Sequence, residues 1–292
     1  MDKLNGARLM SVQSLSPAQE RELSTLRELC RSHEPVELPL FASSLTSECP
    51  ALTMFLAYSG EVLIGFASLP IGDTPELVGA VHPDYRRRSV GRQLLEAARI
   101  EVRRRECERL IVVCEVASPA GISFAQAVGG AFECAEFQLE LERCELPPPC
   151  ADLGPWEVVE GRRDDAPLLA EIGSEAFGDG KSPSAERVAR GFDIPRQRFC
   201  IAKSGGVAVG ALRVLRDPGA PIAYIYSFGI RRAYQRLGFG RRLLRRVADQ
   251  LFDEGCEAVR LEVDTTNAPA LALYRSSGFR QVAEYRYYRL PA

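Results

Sequence analysis

The sequence has few histidines, no excess of charge of either sign and no long apolar run. Only two histidines occur among the 292 residues, His33 and His82, and the nine cysteines include no C-x-x-C pair. These counts argue against a zinc site, and an odd number of irregularly spaced cysteines argues against a disulfide framework. We therefore expect no bound metal, and we expect reduced, buried thiols of the kind found in cytoplasmic proteins.

The balance of charges and the hydropathy pattern exclude two classes of partner. The net charge is −2, whereas a protein that binds nucleic acid usually carries a basic excess. No stretch approaches the roughly 18 apolar residues that span a bilayer, and the N-terminal residues contain no apolar signal core. We expect a soluble, cytoplasmic protein that has no nucleic-acid or membrane partner and is a monomer or a weak homo-oligomer.

What the chain does contain is two copies of one plan. Its 292 residues suit two domains of about 140 residues each, and 46% hydrophobic residues suffice to give each a core. Three consecutive prolines lie within residues 145–155, where neither a helix nor a central strand can continue. We predict an N-terminal domain over 1–144, a stiff linker over 145–155 and a C-terminal domain over 156–292.

The two halves show the same order of predicted elements. Each contains a hairpin, with its turn at residues 59–60 or 204–206, followed by a strand at 76–81 or 222–230. A glycine-containing turn, a helix with one apolar face, another strand and a shorter helix come next. Residues 81–96 and 230–245 are identical at six of sixteen positions, which indicates duplication of one α/β unit.

The turn before the longer helix of the second half has the composition of a phosphate-binding site. Gly238 and Gly240 leave the backbone free to turn, and the helix N-terminus adds N–H groups with partial positive charge. Arg236, Arg241 and Arg242 can add charge-assisted contacts from the sides. The alternative is an ordinary tight connection, since the glycine spacing is that of neither a P-loop nor a Rossmann turn.

Two motifs of the second half resemble those of the GNAT acetyltransferase superfamily. The first is the pyrophosphate motif [QR]-x-x-G-x-[GA], present over residues 235–240. The second is N-x-x-A-x-x-L-Y-x-x-x-G-F, which is matched by Asn267, Ala270, Leu273, Tyr274, Gly278 and Phe279. The resemblance covers about 156–292 and implies transfer of an acetyl group from acetyl-CoA, as co-substrate, to a primary amine of a small molecule or peptide. The transfer would be a direct attack in a ternary complex.

The resemblance also implies the fold and the coenzyme-binding residues. Each half should be an α/β domain, a mixed and mostly antiparallel sheet flanked by helices, with a V-shaped opening between its fourth and fifth strands. The implied coenzyme-binding residues of the second half are Phe228, Gly229, Ile230, Gln235, Arg236, Leu237, Gly238, Phe239, Gly240, Arg241, Asn267 and Tyr274. Among them, Ile230 would offer a backbone N–H group to the carbonyl oxygen as negative charge develops on it.

Tyr274 and Glu262 are the implied catalytic residues. A phenol with a pKa of about 10 is a credible donor to a departing thiolate, although Tyr274 could also be an ordinary amphipathic core residue. Glu262 stands twelve residues before Tyr274, as the glutamate does in the ribosomal-protein N-terminal acetyltransferases of the family. It would be the base, unless it is a solvent-facing strand residue and water removes the proton. Glu175, Asp179 and Tyr226 are further candidates by position.

The first half resembles the same superfamily with losses, in a tandem arrangement similar to that of mycothiol synthase. Its implied coenzyme-binding residues are Val81, Arg86, Arg87, Arg88, Ser89, Val90, Gly91 and Arg92. When Phe132 is superposed on Phe279, Ala120 and Ala127 stand where the second half has its asparagine and its tyrosine. We expect this half to bind acetyl-CoA without catalysis or to be a scaffold. The alternative to an enzyme is a chain that senses acetyl-CoA without turnover.

Overall fold

The computed structural model describes residues 7–36, 52–70, 75–148, 155–178, 184–194 and 196–291. The chain divides into two compact units. Unit 1 comprises Met1–Glu136 together with Ala283–Ala292, and unit 2 comprises Phe137–Val282. Residues 149–154 of the predicted linker lie outside the described residues. No helix in the described part of the chain is long and apolar enough to cross a membrane.

The described residues of unit 1 form a mixed, mostly antiparallel sheet with three α-helices. Its own strands and helices are β1 (Ala7–Val12), α1 (Pro17–His33), β2 (Leu52–Ser59), β3 (Val62–Pro70), β4 (Glu76–Val81), α2 (Val90–Arg104), β5 (Arg109–Glu115) and α3 (Pro119–Ala127). Strands β1 to β4 pair in sequence order as antiparallel neighbours, and β5 pairs with β4 in parallel. Strand β6 (Ala131–Glu142) begins in this unit and ends in unit 2.

In its described residues, unit 2 repeats this order with one more α-helix. Its strands and helices are β7 (Trp156–Glu160), α4 (Ala166–Phe177), α5 (Ala185–Gly191), β8 (Gln197–Ser204), β9 (Val207–Leu215), β10 (Ile222–Ile230), α6 (Phe239–Asp253), β11 (Ala258–Asp264) and α7 (Ala268–Ser276). The last strand, β12 (Arg280–Pro291), begins in this unit. The strands predicted at 76–81 and 222–230 coincide with β4 and β10.

The units differ in sequence from the predicted segments 1–144 and 156–292 because the last strand of each half completes the sheet of the other unit. Residues 285–291 of β12 pair antiparallel with 109–115 of β5, so the end of the chain belongs to unit 1. The second part of β6, from Phe137 onward, lies beside β11 in unit 2. Both strands have twelve residues. The alternation of side chains along such a strand does not specify which neighbour it pairs with.

The apolar stripes predicted for the two longer helices are buried against the sheets. In unit 2 the stripe of α6 consists of Leu243, Leu244, Val247, Ala248, Leu251 and Phe252. In unit 1 the stripe of α2 consists of Val90, Leu94, Leu95, Ala98 and Val102. Each large aliphatic side chain buried in this way stabilises the fold by about 1.5–3 kcal/mol. These stripes hold the N-terminus of each helix at the end of the strand that precedes it.

The predicted opening between the fourth and fifth strands is present in both units. In unit 2, β10 pairs with β11 only from Ile222 to Ile225, and the rest of each strand has no ladder partner across the gap. In unit 1, β4 pairs with β5 over only two residues, Glu76 and Leu77. The strands diverge beyond these pairs, so their later backbone N–H and C=O groups are left to bond with a ligand lying between them.

Glu76, the first residue of β4, is a half-buried carboxyl group in unit 1. Burial, and then the negative charge of Glu136, raise its pKa from 4.5 to about 7. Glu136 is itself held by the Tyr287 hydroxyl, which donates to its Oε2 at 2.7 Å. A raised carboxyl pKa means that the folded state binds the proton more tightly than the unfolded state does. Unit 1 therefore loses stability as the pH rises from about 4.5 through 7.

Replacing Glu76 with glutamine is expected to stabilise unit 1 at pH 8 by about 1–3 kcal/mol and to have little effect at pH 5. The amide cannot ionise, so the cost of burying a charge disappears at the higher pH only. Urea unfolding of the full chain at both pH values measures the difference. Glu61→Gln, at the exposed turn between β2 and β3, is the matched control. An equal gain at both pH values would show that ionisation of Glu76 is not the cause.

Candidate active site

The loop before α6 (Gln235–Gly238, here the α6 loop) forms a sharp turn at the end of β10. Gly238 has φ +87° and is the N-cap of α6, without any side-chain cap. Arg236 also has a positive φ, of 61°. The first hydrogen bond of the helix joins the Arg242 N–H, as donor, to the Gly238 carbonyl at 3.1 Å. The N–H groups of the preceding turn therefore point out of the helix, and a helix N-terminus of this kind suits an anion.

Gly240 lies in the first turn of α6 at the point where three elements meet. A Cβ at this position would stand 3.3 Å from Leu273 of α7 and 3.6 Å from each of Ile230 and Phe228 of β10. The glycine therefore lets the first turn of α6 pack closely against the side chains at the end of β10.

The other predicted residues of this segment have different surroundings. Leu237 is 54% exposed and Arg236 is exposed, whereas the ring of Phe239 is buried in the core, so only its backbone faces the loop. Arg241 donates to Ser276 Oγ at 2.8 Å, and Gln235 Nε2 donates to the Ile230 carbonyl at 3.0 Å. Gln235 thus ties the loop to the end of β10.

The prediction that Arg242 contributes to a phosphate site is wrong. Its side chain is only 6% exposed, and the guanidinium carbon lies 4.4 Å from the centre of the Trp156 ring. Arg242 faces the interior because it is one position further round the helix from Arg241, and a rotation of about 100° per residue separates a surface position from a buried one. The arginine serves as a cation–π partner in the core.

A β-bulge interrupts β10 at the opening, and sequence patterns did not reveal it. The register with β9 shifts between Tyr226 and Gly229, and Ser227 has φ +49°. The shift leaves Ser227 and Phe228 without regular ladder partners and re-aims the backbone that follows. Phe228 and Ile230 then pack toward the core cluster that contains α6 and α7. The predicted coenzyme residues of β10 therefore begin at this bulge.

Tyr274 of α7 lies beside Phe228, with the ring centres 6.1 Å apart, and beside Phe279 at 5.9 Å. Its side chain is 7% exposed, and this burial raises the pKa of the phenol above its usual value. Within the described part of the chain the Tyr274 hydroxyl forms no hydrogen bond. The phenol is thus held in its protonated form, with its proton available to a ligand.

Asn267 is the N-cap of α7. Its side-chain oxygen accepts from the Ala270 N–H at 3.2 Å, which fixes the start of the helix. Its amide nitrogen is the group that remains to donate to a ligand. Asn267 therefore positions the helix that carries Tyr274, in addition to any contact with the coenzyme.

Glu262 lies on the other face of the sheet from Tyr274. Its neighbours on β11, Leu261 and Val263, belong to the hydrophobic core that also contains the buried stripe of α6 (here the α6 core). Because side chains alternate along a strand, the half-buried Glu262 points away from this core. Gln138 Nε2 lies 3.5 Å from Glu262 Oε1. Burial, and then the charge of Glu262, raise the pKa of the Tyr226 phenol on β10. The structure thus brings Glu262 and Tyr226 together on one side of the opening.

The remaining candidates for a base are placed as follows. The carboxylate of Glu175, at the end of α4, forms an ion pair with Arg231. Asp179 lies outside the described residues. Among the described residues, no group of three or more His, Cys, Asp or Glu side chains is arranged to hold a metal ion.

Unit 1 contains a second loop of the same shape before α2 (Arg86–Ser89, here the α2 loop). Arg87 and Ser89 have φ values of 61° and 65°, close to those of Arg236 and Gly238. Serine holds this left-handed conformation at a cost that glycine avoids. Arg86 Nε donates to the Val81 carbonyl at 3.2 Å, as Gln235 does to the equivalent carbonyl in unit 2.

The other predicted residues around the α2 loop make contacts of their own. Arg86 also forms an ion pair with Glu34 at 3.1 Å. Arg88 lies 5.3 Å from the centre of the Tyr85 ring, and Arg92 Nη2 lies 3.4 Å from the Ala127 carbonyl. Val90 is buried in the core, and a Cβ on Gly91 would meet the ring of Phe124 at 3.2 Å. Only the backbone of these last two residues can therefore contribute to an anion site.

The register that superposes Phe132 on Phe279 is wrong. Phe132 is 60% exposed and Phe279 is 3% exposed, so they do not occupy equivalent places. The helices α3 and α7 align with a difference of 149 residues, because their N-caps are Ser118 and Asn267. The left-handed glycines that follow these helices, Gly129 and Gly278, have the same separation.

With this alignment, Ser118 stands in place of Asn267, and Ala125 stands in place of Tyr274. Val113 takes the place of Glu262. The ladder of unit 1 also runs without a shift from Gly65/Val81 to Ser68/Val78, where unit 2 has its bulge. Unit 1 keeps the shape of the α6 loop but lacks the side chains of Asn267, Tyr274 and Glu262 and the bulge at the opening.

The model of the acetyltransferase (GNAT) family matches residues 20–129 and 166–279 of this chain. The chain belongs to this family. It is an acetyltransferase with two GNAT domains in tandem, and the predicted fold is confirmed. Like other members it uses acetyl-CoA and transfers the acetyl group to an amine.

Two relatives and one solved structure show how far the similarity extends. The N-alpha-acetyltransferase RimI of Mycobacterium tuberculosis is 41% identical over 146 residues, which are 48% of this chain and 89% of that protein. The mycothiol acetyltransferase of Thermomonospora curvata is 29% identical over 290 residues, 95% of each chain. A tandem GNAT protein from the clavulanic acid biosynthesis pathway superposes with a TM-score of 0.78 at 20% identity, over 98% of each chain.

Proposed function

We propose that unit 2 is the catalytic unit and that it acetylates a primary amine of a small molecule or peptide. The observation that carries this proposal is the position of Tyr274, whose protonated phenol lies against Phe228 at the bulge of β10. The α6 loop ends at the first turn of the helix whose Gly240 lies close to the same strand. A ligand anchored at the loop can therefore run along β10 toward Tyr274.

The described residues fit acetyl-CoA in two respects. The N–H groups at the start of α6 suit its pyrophosphate. The unpaired part of β10 offers strand-like hydrogen bonds to an extended arm. Bound acetyl-CoA supplies a thioester carbonyl and a thiolate leaving group.

Each of three steps then has a residue of unit 2. Glu262, directly or through a water molecule, accepts the proton of the acceptor amine on its side of the opening. The backbone N–H of Ile230, just beyond the bulge, stabilises the negative charge on the carbonyl oxygen. Tyr274 donates to the sulfur as the carbon–sulfur bond breaks. Its raised pKa makes it a weak acid, so it acts mainly by hydrogen bonding to the thiolate.

The experiment that tests this function is coenzyme A release from acetyl-CoA with a panel of amines. The panel holds peptide N-termini, lysine, polyamines, aminoglycosides and a cysteinyl-glucosamine conjugate. Relatives named for mycothiol and for protein N-termini make the first and last of these the leading acceptors. Release above the hydrolysis background with at least one amine is expected. Tight binding of acetyl-CoA with no release for any amine would favour a sensor instead.

We further propose that unit 1 binds acetyl-CoA without catalysis. Its α2 loop has the backbone shape of the α6 loop, whereas Ala125 and Val113 replace the two catalytic side chains. Calorimetric titration with coenzyme A should therefore give two molecules bound per chain. Ser89→Glu, which places a negative charge in the α2 loop, should reduce this number to one. A single bound molecule in the unmodified chain would make unit 1 a scaffold.

A further inference from the structure

Arg213 is a half-buried cation on the Glu262 side of the sheet in unit 2, and it has no hydrogen-bond or ion-pair partner among the described residues. It lies on β9, directly opposite Phe199 of β8 and Tyr226 of β10. The α6 core buries Leu212 and Val214, its neighbours along the strand, so Arg213 points to the opposite face. Its guanidinium carbon stands 5.4 Å from the centre of the Tyr226 ring.

Within the part of the chain that the structure describes, no group accepts a hydrogen bond from Arg213 or forms an ion pair with it. The salt bridges among the described residues do not include it, and its Nε is sealed from solvent without a hydrogen-bond partner. Its electrostatic neighbours are the Tyr226 phenol and another cation, Arg187 of α5. Burial lowers the pKa of Arg213, and the charge of Arg187 lowers it further. The Arg213 guanidinium makes a cation–π contact with the Tyr226 ring, but this contact uses none of its N–H donors for a hydrogen bond.

Burying the Nε–H of a guanidinium group without an acceptor is unfavourable, because that N–H loses its hydration and nothing replaces it. Two other half-buried arginines of unit 2 show the usual solution. Arg260 pairs with Glu140 at 2.7 Å, and Arg198 pairs with Glu254 at 2.7 Å. Arg213 departs from this pattern beside the opening where the acceptor amine must enter. Planar arginine donors bind carboxylate and phosphate groups with two parallel hydrogen bonds.

We propose that Arg213 binds an anionic group, a carboxylate or a phosphate, carried by the same molecule as the acceptor amine. This inference rests on the proposed function of unit 2, in which the amine faces Glu262. Arg213, Tyr226 and Glu262 lie on three consecutive strands, β9, β10 and β11. Since neighbouring strands are about 5 Å apart, the amine and the anion would be separated by on the order of 10 Å. A peptide with an acidic side chain near its free N-terminus has this span, whereas the α-carboxylate of a free amino acid is too near its amine.

The test is equilibrium binding of matched tripeptides with amidated C-termini to the full chain saturated with coenzyme A. The peptides are Ala-Glu-Ala and Ala-Gln-Ala, together with Ala-phosphoserine-Ala and Ala-Ser-Ala. The unmodified protein is expected to bind at least one acidic peptide about tenfold or more tightly than its neutral match. Arg213→Gln should abolish the preference, and Arg213→Lys should keep part of it. Lys203→Gln removes a charge elsewhere on the neighbouring strand β8 and should keep all of it.

Coenzyme A release with the same peptides separates this inference from the proposed function. If an acidic peptide binds preferentially through Arg213 but no peptide or amine is acetylated, the proposed function fails and the anion site stands. If the acidic and neutral peptides bind equally, or neither binds, or Arg213→Gln weakens both alike, the anion site is refuted. Thermal melting of each variant shows whether it is folded. The pair that shows the preference, carboxylate or phosphate, identifies the anion.

Discussion

Replacing Tyr274 with phenylalanine is expected to lower kcat about 10²–10³-fold, with little change in the KM for acetyl-CoA. The substitution removes only the hydroxyl group. Because this group would donate to the sulfur as the thioester breaks, the substitution should slow the chemical step. The ring remains to pack between Phe228 and Phe279, so the fold should be retained. Initial rates of coenzyme A release with a saturating amine give both constants.

Tyr58→Phe is the matched control for this variant. Tyr58 is also a buried tyrosine, but it lies on β2 of unit 1, where its hydroxyl donates to Glu22 at 2.7 Å. Its loss should leave kcat unchanged. A Tyr274→Phe variant with the rate of the unmodified protein would eliminate Tyr274 as the donor and leave the thiolate to solvent or to a backbone group.

Replacing Gly238 with glutamate is expected to raise the KM for acetyl-CoA a hundredfold or more. The new carboxylate would face the pyrophosphate at the N-cap of α6, where like charges about 4 Å apart repel by about 4 kcal/mol at an effective dielectric constant of 20. The effect should weaken with added salt, because screening reduces the repulsion. Steady-state kinetics at two ionic strengths measure both features.

Gly255→Glu separates this repulsion from backbone strain. Gly255 follows the other end of α6 and has φ +91°, against +87° at Gly238, so glutamate meets the same conformational cost at both positions. Both variants should lose similar stability, and only Gly238→Glu should lose affinity for the coenzyme. Equal KM values for the two variants would show that the α6 loop does not hold the pyrophosphate.

Much of the site was predictable because its signals are local. The loop of residues 235–240 and the segment of residues 267–279 each combine a turn with a helix start, and a short motif specifies both. The structure places Gly238 at the N-cap of α6 and Asn267 at the N-cap of α7, as these motifs require. The periodicity of the apolar residues likewise determined which face of α6 is buried.

Other features depend on neighbours that are distant in sequence. Arg242 matches the composition of the loop, yet it stacks under Trp156 because the helix turns it inward. The alignment of Phe132 with Phe279 failed because the sequence does not show that the first is exposed and the second is buried. Arg213 is one arginine among many in the sequence, and only the packing of β8, β9 and β10 shows that no described residue pairs with it.

The sequence by itself determined the family and the order of elements in each half, and it located the two loops and the tyrosine, Tyr274, of the proposed sites. The tertiary structure alone decided which strand closes which sheet, where the bulge of β10 lies and on which side of the opening Glu262 stands. The physical reason is that turns and helix starts depend on residues close along the chain. Strand partners, bulges and the pairing of buried charges depend on which distant segments come together.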